Sequence, residues 1–93
     1  MLKIKLAGYI LVPSDDLELV KAELINHITL TRQEEGCIVF EVSQDIENLN
    51  KFFVYEEFTS QRTFELHQAR VKNSKWGDLS KNAERHYEIT IFK

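Results

Sequence analysis

Two ionisable residues in this 93-residue chain sit where acid–base chemistry would need them. Glu56 lies in the run Lys51–Phe58 (KFFVYEEF), and strand alternation puts it on one face with Val54 and Phe58. A carboxylate among apolar neighbours must find hydrogen bonds or a cation, or take up a proton. Glu56 is therefore either a base or orienting group in a pocket, or a structural carboxylate holding backbone amides or an arginine. His67 follows Phe64 by one helical turn, and Arg70 follows His67 by three residues. A histidine there can shuttle protons near neutral pH; the alternative is a half-buried ring bonded to the backbone. Trp76, in Ser74-Lys75-Trp76-Gly77, forms either a pocket wall or a plug at the end of the core. Arg85 and His86 adjoin on a strand, so at most one of them faces a pocket. Thr31-Arg32 ends a helix, where a cation complements the dipole. Cys37 follows a turn glycine and reads as a small packed residue, not a nucleophile.

Other chemistries lack their residues. The chain has no Gly-rich phosphate loop, Cys-x-x-Cys pair, His-Glu-x-x-His or Gly-x-Ser-x-Gly element. His27, His67 and His86 fall on different elements without ligand spacing, so no metal site is expected. The formal net charge is −3 and the lysines are interspersed with acids, which argues against nucleic acid as a partner. A single cysteine excludes an intrachain disulfide and fits a reducing compartment. The N-terminal residues lack a signal-like apolar stretch, and no segment approaches membrane-spanning length, so a cytoplasmic location without membrane attachment is expected.

These residues need elements to position them. Residues 3–12 alternate into a strand stopped by Pro13, with Gly8 marking a bulge or a close backbone approach. Ser14, Asp15 and Asp16 offer capping oxygens to a helix in which Leu17, Val20, Leu24 and Ile28 recur to about Arg32. Gly36 suits the left-handed turn that follows. Residues 37–43 and 51–58 form a hairpin, Ser60 caps a second helix to about Val71, residues 72–82 form a loop with a short helical turn, and 83–92 make the last strand. Tyr87, Ile89 and Ile91 share one face of it. The order β-α-β-β-α-β predicts an α+β fold of ferredoxin-like topology, as one domain over residues 1–93. Strand 51–58 carries Phe52, Val54 and Phe58 on one face and Phe53 and Tyr55 on the other. Two apolar faces call for two covers, the helices and a second subunit, so a homodimer through the sheet is expected.

Three stretches resemble the antibiotic biosynthesis monooxygenase domain family, whose relatives include quinol monooxygenases and dimeric α+β barrel proteins. They are Glu34-Glu35-Gly36-Cys37-Ile38-Val39-Phe40-Glu41, Phe53-Val54-Tyr55-Glu56-Glu57-Phe58 and Phe64-Glu65-Leu66-His67. The resemblance implies a dimer with a pocket between sheet and helices in each subunit. It also implies oxidation of a small phenolic or quinol ring by molecular oxygen without flavin, haem or metal. His67, Glu56 and Arg70 would then share proton removal and charge stabilisation, with Phe40, Phe58 and Trp76 as ring-binding walls. Val54 stands on the substrate side where some oxygenases of the superfamily present Asn. Gly77 stands where haem-degrading relatives place their haem-ligating histidine. Two other functions remain open for such a chain: a non-catalytic dimeric module that captures a small metabolite, and a non-oxidative isomerase or lyase using His67 and Glu56.

Overall fold

The computed structural model describes residues 2–93, and each alternating run forms a strand: β1 (Lys3–Leu11), β2 (Cys37–Gln44), β3 (Lys51–Phe58) and β4 (Glu84–Phe92). They build one antiparallel sheet in the order β2-β3-β1-β4. Helices α1 (Leu17–Arg32), α2 (Gln61–Lys72) and α3 (Lys75–Leu79) complete the ferredoxin-like α+β fold. The boundaries lie within a residue or two of those the sequence predicts.

Register decides which side chains meet. One row across the sheet runs Phe40, Glu56, Leu6, Ile89, and the next runs Val42, Val54, Gly8, Tyr87. A third runs Gln44, Phe52, Ile10, Arg85. The core packs here, with Leu6, Ile10, Phe52 and Phe58 at 2% exposure or less. Burying each such side chain contributes roughly 1.5–3 kcal/mol. Glu56 is thus anchored in the middle of the sheet, not at an edge.

Gly8 makes the close approach that the sequence suggests. Its φ is 158°, and a Cβ there would lie 1.9 Å from the His86 carbonyl oxygen of β4. Gly8→Ala should therefore lower stability by about 1–3 kcal/mol or more, read as a fall in the denaturation midpoint. An unchanged midpoint would contradict this register between β1 and β4. Gly36 takes the expected left-handed turn at φ 87°, with the Thr63 side chain filling the space a Cβ would need.

Two local expectations are corrected. Ser14–Asp16 form a 3-10 turn, and the N-terminus of α1 receives no side-chain cap hydrogen bond. The most buried edge of α1 is Val20, Glu23, His27 and Thr31, while Leu17, Leu24 and Ile28 are half-buried. The helix is rotated so that polar groups face the interior, which reflects what lies beneath it. Strand β4 differs in another way. Helix α2 packs over β1 and β3, leaving Ile89 and Ile91 54% and 55% exposed although both point to the helix side.

Candidate active site

Helix α2 is fixed at its start by a capping box. The Ser60 hydroxyl accepts from the Thr63 amide at 3.2 Å, and the Thr63 hydroxyl accepts from the Ser60 amide at 3.2 Å. One turn on, His67 reaches the sheet with 3% exposure, its ring 4.8 Å from that of Phe58 and 6.0 Å from that of Phe40. Its Nδ1 lies 2.6 Å from Glu34 Oε1. Glu34 sits directly after α1, in the turn that Gly36 closes. Arg70 grips the same carboxylate, Nε donating to Oε2 at 2.9 Å and Nη2 to Oε1 at 3.1 Å, while Nη2 also donates to the Thr31 hydroxyl at 3.0 Å.

This network assigns the tautomer. Burial pushes the Glu34 carboxyl up, but hydrogen bonds from Arg70 and His67 outweigh it and hold it below the usual carboxylate range. An ionised Glu34 accepts only, so Nδ1 carries the His67 proton and Nε2 keeps its lone pair. Burial lowers the His67 pKa, with Glu34 opposing it, so the ring stays a neutral proton acceptor. Glu56 Oε1 stands 3.6 Å from Nε2, and it is buried with no hydrogen-bond partner among the described residues. Burial, then the charge of Glu34, raises the Glu56 pKa from 4.5 to about 7. The series Arg70–Glu34–His67–Glu56 therefore pairs a held base with a carboxyl able to carry a proton near neutral pH. A ligand hydroxyl set beside this pair, on the cavity side, can hydrogen-bond both Nε2 and Oε1.

The pair faces a cavity of about 110 Å³ between the sheet, α1, α2 and α3. That is less than the ~150 Å³ of an enclosed apolar cavity that accepts benzene, but this one is partly open to solvent, so a ring need not lie wholly within it. Phe40, Val54 and Trp76 supply apolar walls, and Arg85 and Tyr87 reach in from β4. Trp76 stacks on His27 with ring centres 4.6 Å apart and planes 5° from parallel. Burial first, then the neighbouring His67 (whose protonation would compete) and the Arg70 charge, lowers the His27 pKa to about 3, so this ring is neutral, and its buried Nδ1 lacks a hydrogen-bond partner among the described residues. Burial, partly offset by Arg85, pushes the Tyr87 phenol up to about 12.

Of the residues singled out from sequence, His67, Glu56, Phe40, Val54 and Trp76 meet around this cavity. Arg70 does not line it and acts on His67 through Glu34. Phe58 lies behind His67, fully buried against the Phe64 ring at 5.8 Å, so it supports the histidine rather than walling the cavity. Arg85, not His86, is the member of that pair facing the cavity; the His86 ring stacks on Tyr9 across the other face. Thr31 receives Arg70, and Arg32 donates from Nε and Nη2 to the Phe40 carbonyl at 3.0 and 2.8 Å. That pair thus tethers α1 to α2 and β2. Sequence reasoning missed Glu34, His27 and Tyr87 as site residues. Glu34 had a signal in the Glu34–Phe40 stretch, and His27 had one in its spacing between Glu23 and Thr31.

Glu34→Ala leaves His67 without its orienting acceptor. If His67 is the base, kcat should fall on the order of 10²-fold with little change in KM. Steady-state kinetics read this, and an unaltered kcat would remove Glu34 from the positioning of His67.

A helix-over-sheet α+β protein with a buried histidine–carboxylate pair facing a small, partly open cavity is the class that fold and site define. The sequence profile of the antibiotic biosynthesis monooxygenase family matches residues 4–76, and the chain belongs to that family. A Nitrosomonas europaea protein carrying the same family name is similar in structure at a TM-score of 0.73 and 18% identity, over 98% of this chain and 88% of that one. A conserved protein from Methanosarcina mazei Go1 gives a TM-score of 0.71 at 24% identity, over 100% and 93% of the two chains. A Deinococcus radiodurans protein of the same family name gives 0.73 at 21% identity, over 100% and 91%. These likenesses show the shared fold. No curated protein matches the chain.

Proposed function

We propose that the chain is a monooxygenase that needs no cofactor and oxidises a small phenolic or quinol ring with molecular oxygen. The observation that carries this reading is the Arg70–Glu34–His67–Glu56 series ending at a cavity of about 110 Å³ walled by Phe40, Val54 and Trp76. His67 Nε2 removes the ring hydroxyl proton, and Glu34, held by Arg70, stabilises the imidazolium that forms. The electron-rich phenolate then supplies the electrons that reduce oxygen. One oxygen atom enters the ring, which becomes a quinone, and the other leaves as water. Glu56, when protonated, donates to the oxygen species that becomes negative. In this reading two subunits pair through the sheet face that the helices leave open, where Phe53 is 43% exposed.

The proximity of a base and a protonated carboxyl also suits a non-oxidative isomerase or lyase. An oxygen electrode separates the two. Uptake above the spontaneous rate with a panel of hydroquinones and dihydroxy-aromatics supports the oxygenase; turnover of a panel member that continues without oxygen supports the isomerase.

A further inference from the structure

Arg85 is the one cation in the cavity lining, among the described residues, and it is held in place without a counter-ion. Its Nη1 donates to the Ser80 and Ala83 carbonyls, both at 3.2 Å, and its Nη2 donates to the Ser80 hydroxyl at 2.8 Å. Ser80 is 1% exposed and its hydroxyl in turn donates to the Trp76 carbonyl at 2.6 Å. The guanidinium is thus tied to the turn that carries the aromatic wall. None of the ion pairs among the described residues includes Arg85. Its acceptors are neutral, as is the Tyr87 phenol that it also hydrogen-bonds, so no carboxylate pairs with this guanidinium, which is exposed at the edge of the cavity. A guanidinium has five donor hydrogens, so donor capacity remains for a ligand.

The same cavity holds a complementary need. His27 Nδ1 and Glu56 Oε1 are both buried and without hydrogen-bond partners, on residues that line the cavity. Buried polar atoms are costly to leave unpaired, and a ligand with a polar group at its inner end relieves this. The cavity is partly open to solvent, so a single small ring can enter it beside Phe40, Val54 and Trp76 and extend past its mouth.

We infer that the cavity takes a small planar ring that is hydroxylated at its inner end and carries an anionic substituent, a carboxylate above all, which Arg85 selects at the outer end. Charge-assisted guanidinium–carboxylate bonds are about twice as strong as neutral ones, and their direction orients the ring as well as attracting it. The substrate class becomes a hydroxylated aromatic acid. This rests on the oxygenase reading for the identity of the ring, but not for the preference in charge.

Trp76 is the only tryptophan in the chain and lines the cavity, so its fluorescence reports binding independently of turnover. The experiment titrates the purified protein with 4-hydroxybenzoate, phenol and hydroquinone. The expected result is that 4-hydroxybenzoate binds roughly tenfold or more tightly than phenol. Added salt weakens the acid's binding and leaves that of phenol unchanged. In Arg85→Gln the acid's advantage disappears while phenol affinity stays, and Arg85→Lys restores part of it. Equal affinities in the native protein, an advantage insensitive to salt, or one that survives Arg85→Gln would overturn the inference. Oxygen uptake is recorded on the same samples. Uptake without a preference for the acid removes the inference alone, and preference for the acid without uptake removes the oxygenase reading alone.

Discussion

Replacing His67 with alanine should lower kcat for a phenolic substrate by roughly 10²–10⁴-fold while changing its affinity little. The asymmetry follows from where the side chain sits. His67 is 3% exposed beneath α2 and meets the cavity by its Nε2 edge, whereas Phe40, Val54 and Trp76 supply the ring-binding surface. Removing the imidazole takes away the base and leaves those walls. It also leaves Glu34 with Arg70, whose hydrogen bonds keep the carboxylate ionised, so exogenous imidazole should restore part of the rate. The pH profile carries a second signature. Burial lowers the His67 pKa, so the acid-side loss of activity falls below the ordinary histidine range. Full activity in His67→Ala, measured by oxygen uptake and by Trp76 fluorescence for binding, would remove His67 from the mechanism.

The second large effect concerns stability, and its carrier is Glu56. A carboxyl 4% exposed in the middle of the sheet, without a hydrogen bond at Oε1, is protonated in the fold at pH values where the unfolded chain has lost the proton. Below pH 4.5 the group is protonated in both states and contributes no difference. Between 4.5 and about 7 the unfolded state ionises first, so folding stability falls as pH rises, and above that the full cost is in place. Moving a pKa from 4.5 to about 7 corresponds to a loss of about 3 kcal/mol across that window. Glu34 works in the opposite sense and in a lower range. Its depressed pKa gives stability that is present above the ordinary carboxylate range and lost as pH falls through the folded value. Glu56→Gln should therefore gain stability relative to the native chain as pH rises from 4.5 to 7, by about 3 kcal/mol in the difference between variant and native. Denaturant melts across that range read the effect. A difference flat with pH would show Glu56 ionised in the fold, and with it the loss of the proposed proton donor.

Much of this arrangement is legible in the sequence because strands and helices write their faces into residue spacing. Alternation along Lys51–Phe58 places Glu56 among apolar side chains, and the register then sets it between Phe40 and Leu6. Helical spacing puts His67 and Phe64 on the sheet-facing side of α2, where both are buried. What spacing does not reveal is who meets whom across elements. Glu34 and His67 are 33 residues apart, and their contact depends on the turn at Gly36 and the docking of α2, neither of which has a period. Phe58 shares the face of Val54, but it lies at the end of its strand beneath α2, so alternation alone cannot separate a wall from a support. Arg85 shares its parity with Tyr87, Ile89 and Ile91, and that parity already distinguishes it from His86. The polar edge Glu23-His27-Thr31 was hidden by the leucines and isoleucine of the same helix, which compete for the same interior.

The central claim is that the substrate's own electrons reduce oxygen and that one oxygen atom ends in the ring. The most direct measurement is turnover of an active phenolic substrate under ¹⁸O-labelled molecular oxygen, with the product analysed by mass spectrometry without added cofactor. The account predicts one labelled atom per quinone formed and a rate that collapses in His67→Ala. Unlabelled product, or the same product formed in the absence of oxygen, would contradict it.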